Sequence, residues 1–379
     1  MGEGRAALVL TGGGARAAYQ VGVLIAIRDV WGKRPGNPFP ILCGTSAGAV
    51  NAVALAVFSA NFDEAVRKLA YIWRNFRVDH VYRADTLAIA ESVMRWGSTI
   101  FLGWLIHQSP RSLLDNSPLR ALLEAQLDFG AIDQAIAAGH LQAISITASG
   151  YTSGESLAFF QGVEDLQPWR RAHRIGVRTQ LKVEHLLASS AIPFVFPAVR
   201  INREYFGDGS MRQLAPISPA IHLGADRILV IAGGRRSEEA RQRTDAYPSL
   251  AQVAGHALSS IFLDGLAMDL ERLERINATV GAFTPEQRLA SGIPLKPIET
   301  LVIAPSQRLD YLATRHRAAL PQALRLVLRG VGATRKNGSV LLSYLLFERA
   351  YTRSLMELGY RDAMSRRGEL ARFLRVDGS

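Results

Sequence analysis

Short apolar runs alternate with amphipathic segments through the first two thirds of the chain. The runs are rich in Val, Ile and Leu and bounded by Gly, Pro or polar residues, which predicts buried strands. These strands lie at 6–11, 40–43, 142–149, 156–161, 198–206, 227–232 and 300–304. Segments with apolar residues at helical spacing lie at 16–30, 47–59, 63–75, 86–106, 118–126, 183–190 and 215–223. The alternation predicts an α/β protein, a three-layer α/β/α sandwich with a central, mostly parallel sheet.

The pattern changes after residue 234. Helical runs near 247–277 and 335–360 dominate there, and the polar stretch 235–248 separates them from the preceding segments. We therefore expect an α/β domain over 1–234 and a mainly helical C-terminal region over 235–379. No motif assigns a role to that second region.

A Gly-x-Ser-x-Gly motif lies between a predicted strand and a predicted helix. Ser46 would stand at the tip of a sharp turn, with Gly44 and Gly48 at the positions where a Cβ would crowd neighbouring backbone. The following helix would direct unpaired N–H groups toward the serine and stabilise a negative charge beside it. This pattern is typical of a nucleophilic serine.

Three consecutive glycines, Gly12, Gly13 and Gly14, follow the first predicted strand. Successive glycines let backbone N–H groups form a concavity that accepts an anion. A dinucleotide loop is one interpretation, but Ala17 replaces its last glycine and no acidic residue ends a second strand about 20 residues later. A P-loop is excluded because no Gly-Lys-Ser/Thr follows. The remaining interpretations are an oxyanion hole serving Ser46 and a turn without a ligand.

An acidic residue, Asp208, lies between Gly207 and Gly209 after a β-branched and aromatic run. This composition predicts a tight turn at a strand end. Alone, such an aspartate commonly hydrogen-bonds only its own backbone. Its place after the serine motif makes it a candidate partner for Ser46.

The three elements, in this order, resemble the patatin-like phospholipase family. That family is marked by Gly-Gly-Gly-x-Arg/Lys-Gly, then Gly-x-Ser-x-Gly, then Asp-Gly-Gly/Ala, and it uses a Ser–Asp dyad without a catalytic histidine. The matching residues are Gly12, Gly13, Gly14 and Arg16, then Gly44, Ser46 and Gly48, then Asp208 and Gly209. The likeness covers roughly residues 5 to 230, with two small departures, Ala17 and Ser210.

The resemblance implies a serine lipid acyl hydrolase with the α/β domain as its catalytic part. Ser46 would form the acyl-enzyme, Asp208 would act as base and then acid, and the three loop glycines would supply oxyanion N–H groups. An ordinary aspartate is a weak base near neutral pH, so partial burial would have to raise its pKa. The substrate implied is a phospholipid or another acyl lipid, and no cofactor or metal is expected.

Two alternatives remain open. A Ser-His-Asp esterase of the α/β-hydrolase type needs a histidine after the acid, and the candidates are His222, His256 and His316. His222 lies at a predicted helix end and the other two fall in helical patterns. A weakly active lipid-binding protein of the same fold is the second alternative, although it would not need both Ser46 and Asp208.

Charge adds one further expectation. The formal net charge is +11, and the basic residues concentrate at Arg235, Arg236, Arg241, Arg243, Arg325, Arg329, Arg335, Lys336, Arg361, Arg366, Arg367, Arg372 and Arg375. An anionic membrane surface would attract them at about 1 kcal/mol per residue, and solubility alone is the competing explanation. No recognition motif predicts nucleic acid as a partner. Nothing in the pattern indicates an oligomeric state.

Two features bear on location. The apolar segment 92–107, with Trp96, Phe101 and Trp104, would pack on the core or form an interfacial flap beside the acyl-binding cleft. The only cysteine is Cys43, and the N-terminus has neither a signal-peptide pattern nor a myristoylation pattern. We therefore expect a cytoplasmic protein, peripheral at the inner face of the membrane.

Overall fold

The structure is a computed structural model, which describes residues 5–83, 112–234, 249–290, 292, 295–330 and 339–376. The strands are β1 (Ala6–Leu10), β2 (Ile41–Thr45), β3 (Ala143–Gly150), β4 (Ser156–Gly162), β5 (Trp169–Arg171), β6 (Arg174–Arg178), β7 (Val199–Ile201), β8 (Glu204–Asp208), β9 (Arg227–Ile231) and β10 (Glu299–Ile303). The helices of the first part are α1 (Ala18–Trp31), α2 (Ala47–Val57), α3 (Phe62–Arg74), α4 (Ser117–Gln126), α5 (Gly130–Ala137), α6 (Val183–Ser189) and α7 (Ser218–His222). Those of the second part are α8 (Leu250–Gly281), α9 (Pro285–Ala290), α10 (Leu309–Arg315), α11 (Gln322–Gly330), α12 (Ser339–Leu345), α13 (Arg349–Ser365) and α14 (Arg367–Leu374).

Within the described residues, all the strands belong to one sheet. Its order is β10-β9-β1-β2-β3-β4-β6-β5, and β8 pairs with β3 and β7. The run from β10 to β3 is parallel, as is the β4–β6 pair, whereas β4, β5, β7 and β8 add antiparallel pairs. The predicted α/β class with a mostly parallel central sheet and a helical C-terminal region is confirmed.

Both faces of the sheet are buried. Leu8 and Leu10 of β1 belong to one apolar core, together with α1 and α13, while Ala7 and Val9 belong to a second core with α7 and α8. Successive residues of a strand point to opposite faces, so an unbroken apolar strand requires helices on both sides. This is the physical reason for the three layers.

The C-terminal region contributes to the same sheet and core. β10 pairs with β9 along its whole length, and α13 packs on α1. The two helices approach with almost no side chain between them, because a Cβ at Gly22 would overlap the Met356 carbonyl and one at Gly359 would overlap the Tyr19 carbonyl. The predicted boundary at 235–248 lies outside the described residues.

Several elements differ from the prediction in their limits. The single strand predicted at 198–206 is the β7–β8 hairpin, since Ile201 pairs with Glu204 and Asn202 takes a left-handed φ of 54° in the two-residue turn between them. The β5–β6 hairpin was not predicted, because its arginine-rich sequence lacks an apolar alternation. The predicted helix 86–106 and the apolar segment 92–107 lie outside the described residues. None of the helices described here combines the length and hydropathy that a membrane span requires.

The close approach of α1 and α13 gives a prediction for stability. Gly22→Ala should lower the free energy of unfolding by about 2 kcal/mol or more, since the new methyl group meets backbone that cannot move aside. Gly368→Ala is the matched control, because it also lies in a helix but has open space around its Cα. Urea denaturation of both variants measures the difference. Equal stability of Gly22→Ala and wild type would contradict the close approach.

Candidate active site

The predicted nucleophile, Ser46, lies at the turn between β2 and α2. Its backbone has φ 55° and ψ −132°, a conformation that residues other than glycine rarely adopt. A Cβ at Gly44 would overlap Ala49, and one at Gly48 would overlap the carbonyls of Leu10 and Thr11. The chain can therefore turn this sharply only with glycine on both sides of the serine, which is the arrangement that the motif predicts.

One edge of β3 brings Ser46 and Asp208 together. β2 pairs with β3 up to Thr45, which lies opposite Thr147, and β8 then pairs with the next residue, Ala148, through Asp208. β4 occupies β3 over the same residues and so must use the other edge. The end of β2, which is followed by Ser46, and the end of β8, which is Asp208, therefore meet on a single edge of β3. The side chains of Ser46 and Asp208 converge there.

The backbone around Asp208 orients its carboxyl group. The Asp208 N–H donates to the Ala191 carbonyl at 2.9 Å, and Oδ1 accepts from the Ser210 N–H at 2.9 Å. A Cβ at Gly209 would overlap the Thr147 carbonyl. Glycine at this position thus lets the chain leave β8 directly over β3, at the place where Asp208 faces the serine.

Burial dominates the electrostatics of the pair. Ser46 and Asp208 are each 1% exposed. Burial raises the pKa of Asp208 to about 6, against the opposing effects of the Ser46 hydroxyl and the Ser210 N–H. Oδ2 makes no hydrogen bond of ordinary geometry within the described residues, so the Ser46 hydroxyl is a near neighbour that acts on the carboxyl without a formed bond. Contacts of this kind often tighten only when a substrate binds.

The elbow is held by side chains that the motifs did not indicate. Ser189 is fully buried, and its hydroxyl accepts from the Ser46 N–H at 2.8 Å and donates to the Thr147 carbonyl at 2.6 Å. Gln213 accepts from the Thr45 hydroxyl at 2.9 Å and donates to the Thr147 hydroxyl at 3.2 Å. Both residues tie the end of β2 to β3. No sequence motif predicts this role for Gln213, and Ser189 is marked only by its position in the Ser-Ser-Ala-Ile-Pro stretch before Asp208.

The glycine loop, Gly12 to Gly14, lies directly beside the elbow. It follows β1, the parallel neighbour of β2, and Gly48 packs on the carbonyls of the two residues before Gly12. Gly14 has φ 53°, and a Cβ there would overlap the Tyr344 carbonyl. The loop therefore has the elbow on one side and α12 on the other.

Arg16, the basic residue of the loop motif, is buried beneath α12. Its guanidinium donates to the Ser343 hydroxyl at 2.6 and 2.9 Å and to the Tyr344 hydroxyl at 3.1 Å, and it lies 3.9 Å from the centre of the Tyr344 ring. Burial raises the pKa of Tyr344, the charge of Arg16 opposes this, and the charge of Asp208, which lies within electrostatic range, adds to it. Arg16 thus attaches α12 to the loop above the site.

Two of the three candidate histidines have other partners, and the third is exposed. His222 stacks on Trp169, and its Nδ1 lies 2.9 Å from the Ser218 carbonyl. Nε2 of His316 is 3.1 Å from the Ser354 hydroxyl, and His256 is exposed on α8. In the part of the chain that the structure describes, no histidine contacts Ser46 or Asp208.

Sequence similarity to known proteins covers the segment that contains these residues. The family model "Patatin-like phospholipase" matches residues 8–221. A cGAMP-activated phospholipase of Pseudomonas aeruginosa (strain BWHPSA011 / Pa011) is 27% identical over 218 residues, which cover 55% of this chain and 53% of that protein. The match therefore spans about half the length of this relative.

Two solved structures resemble this chain weakly. VipD from Legionella pneumophila aligns with a TM-score of 0.31 at 12% identity, over 94% of this chain and 67% of that one. Human GIVD cytosolic phospholipase A2 in complex with methyl gamma-linolenyl fluorophosphonate aligns with a TM-score of 0.42 at 13% identity, over 98% and 58%. These values are too low to carry an argument of their own. The family match, however, covers more than half of the chain and contains the glycine loop, the serine elbow and Asp208, and the chain belongs to the patatin-like phospholipase family.

Proposed function

We propose that this protein is a serine lipid acyl hydrolase that cleaves a carboxylic ester through an acyl-enzyme on Ser46, with Asp208 as the base. The observation that carries the proposal is the meeting of β2 and β8 on one edge of β3, which places a buried carboxyl with a raised pKa beside a serine in a sharp elbow. Membership of the family supports a lipid ester as the substrate, with a phospholipid as the first candidate.

The acylation step uses only groups of this chain and the ester. Asp208 accepts the hydroxyl proton while the Ser46 oxygen attacks the ester carbonyl carbon. Negative charge develops on the carbonyl oxygen, beside the glycine loop and the start of α2, whose backbone N–H groups would stabilise it. The tetrahedral intermediate then expels the alcohol part of the lipid, which takes its proton from Asp208.

Deacylation uses the same groups, with water as the nucleophile and the Ser46 oxygen as the leaving group. Asp208, again ionised, accepts a proton from water as the water oxygen attacks the acyl carbon. The second tetrahedral intermediate collapses, the proton returns to the Ser46 oxygen, and the fatty acid leaves. A base with a pKa of about 6 suits this work better than an exposed aspartate, because it is ionised at neutral pH and still binds a proton usefully.

The alternatives are less well supported. A Ser-His-Asp esterase requires a histidine at the serine, whereas His222 and His316 contact other groups and His256 is exposed on α8. A lipid-binding protein without turnover would not need the carboxyl to be held beside the serine at a raised pKa. We further propose that anionic phospholipid at a membrane surface is the physical form of the substrate, because the chain carries an excess of basic residues.

Ser46→Ala tests the nucleophile. The variant should lose at least about four orders of magnitude in ester hydrolysis and all labelling by a fluorophosphonate probe, because it has no oxygen to acylate. Its circular dichroism spectrum should match that of wild type. Labelling that persists on a different serine would overturn the assignment.

Asp208→Asn tests the base. Turnover should fall by about three to four orders of magnitude, because the amide keeps the shape of the carboxyl but cannot accept the proton. His222→Ala, His256→Ala and His316→Ala are the matched controls and should each retain most of the activity. A folded histidine variant as inactive as Ser46→Ala would favour the triad.

The raised pKa of Asp208 predicts the pH profile. Only the ionised carboxylate acts as base, so kcat/KM should rise as the pH increases through about 6 and level off above it. Below that value the rate should fall by about tenfold per pH unit, as expected for one proton. Initial rates with a soluble short-chain ester measure kcat/KM at each pH without a membrane. A midpoint near the ordinary aspartate pKa would contradict burial as the source of base strength.

A further inference from the structure

A cavity lies outside the proposed active site. It has a volume of about 510 Å³ and opens between the segment that follows α3 and the first residues of α4, α11 and α13. Small-molecule sites typically have volumes of about 300–1,000 Å³. The cavity is therefore large enough for an organic ligand and larger than a single inorganic anion requires. Its lining shares no residue with the loop, the elbow or Asp208.

Arginines give this cavity its chemistry. Arg77, Arg83 and Arg349 line it, together with the carboxylates Asp79 and Glu348. Burial raises the pKa of Glu348, and the Val78 N–H and the two arginines Arg77 and Arg349 oppose that shift. We call the cavity the arginine pocket. A guanidinium group can donate two parallel hydrogen bonds to two oxygens of one phosphate, as it does to a carboxylate.

Two of these arginines form no direct ion pair in the described part of the chain, although both act on the Glu348 carboxylate through its charge. Among the described residues, neither Arg77 nor Arg349 forms an ion pair, and Arg349 instead donates to the Asn75 carbonyl at 3.4 Å. Three arginines face two carboxylates in this lining, which leaves a net positive formal charge. That excess of positive charge favours an anionic ligand.

Helix starts add to the same field. Pro118 lies in the first turn of α4, Pro321 immediately precedes α11, and Arg349 begins α13, so three helix N-termini border the pocket. Helix N-termini carry partial positive charge. The two prolines also present apolar surface, which suits a ligand with a flat or aliphatic part beside its phosphate.

The arginine pocket is connected to the cover of the glycine loop. Phe347 contacts the rings of Phe76 and Tyr82, with centroids 5.8 and 6.3 Å apart. The Tyr82 hydroxyl donates to the Leu345 carbonyl at 2.9 Å, one residue after the tyrosine that lies on Gly14. The chain from the pocket wall at Glu348 to this contact is only four residues long. A ligand that draws Arg349 toward Arg77 must act on this short segment.

We propose that the arginine pocket binds a soluble phosphorylated small molecule, and that its binding shifts α12 on the glycine loop and so changes access to Ser46. The part that concerns access rests on the proposed hydrolase function, whereas the binding site does not. A ligand can shift α12 only if it binds one arrangement more tightly than the other. Bridging a residue before α4 to the first residue of α13 supplies such a difference, because the two walls are far apart in sequence.

Binding is tested first, without any measurement of activity. Isothermal titration calorimetry on the full chain uses inorganic phosphate, pyrophosphate, a nucleoside triphosphate and a dinucleotide as probes. At least one organic phosphate should bind, and Arg77→Gln/Arg349→Gln should weaken it about tenfold or more for each arginine removed. Arg67→Gln/Arg275→Gln is the matched control, because it removes the same charge from exposed helix surfaces. Equal loss in both double variants, or no binding of any probe to wild type, would overturn the proposal.

A vesicle arm separates the two sources of phosphate. Sedimentation with vesicles of anionic phospholipid should be equally strong for the Arg77→Gln/Arg349→Gln and the Arg67→Gln/Arg275→Gln variants. Preferential loss in the pocket variant, without binding of a soluble phosphate, would assign the pocket to a lipid headgroup and overturn the small-molecule proposal.

Coupling is then read in two ways. Hydrogen exchange of the amides in 339–347 should change when the bound phosphate compound is added to wild type, and should not change in Arg77→Gln/Arg349→Gln. The hydrolysis rate of a short-chain ester should change with the same ligand concentration, while basal activity of the variant stays unchanged. An exchange response without any hydrolysis would contradict the proposed function and leave the site standing. A bound ligand with no exchange response would overturn the coupling.

Discussion

The site depends on the two edges of β3. β4 occupies one edge completely, so the other must hold β2 and β8 in succession, and the register of both follows from consecutive residues of β3. A shift of one residue in either strand would turn its side chains to the opposite face of the sheet. The facing of Ser46 and Asp208 is therefore a property of sheet pairing, fixed by many backbone hydrogen bonds rather than by a contact between the two side chains.

This arrangement has a cost in stability. Ser46 takes a backbone conformation that is unfavourable for a residue with a Cβ. Because burial raises the pKa of Asp208, ionisation of this carboxyl lowers the stability of the folded protein. The hydrogen bonds of Ser189 and Gln213 offset part of that cost, since both attach the end of β2 to β3 at the point of strain. Each of these bonds contributes roughly 1 kcal/mol. Together they lower the free energy of the strained turn at Ser46 by a few kcal/mol at most.

The sequence predicts those parts of the structure that depend on local backbone geometry. Gly44, Gly48 and Gly209 are recognisable because each lies where a Cβ would overlap backbone, and the first two follow the continuous apolar run at the start of β2. Ser189 was not predictable as a brace, because its two partners are 143 and 42 residues distant along the chain. The same holds for β5 and β6, whose pairing at the sheet margin leaves no apolar pattern, and for the contact of α12 with the loop.

Arg16 shows how a local motif can serve a distant element. The motif places it in the glycine loop, yet its guanidinium contacts Ser343 and Tyr344, more than three hundred residues later. In the described chain this buried cation forms no salt bridge, and its hydrogen bonds go to neutral hydroxyls. Desolvation of a cation opposes its burial, while hydrogen bonds and the Tyr344 ring favour it. Because water would solvate Arg16 well once α12 moved away, the free energy that holds α12 over the loop is smaller than these contacts suggest. On the function proposed for Ser46, an ester could reach the loop glycines once α12 is displaced, at this reduced cost in free energy.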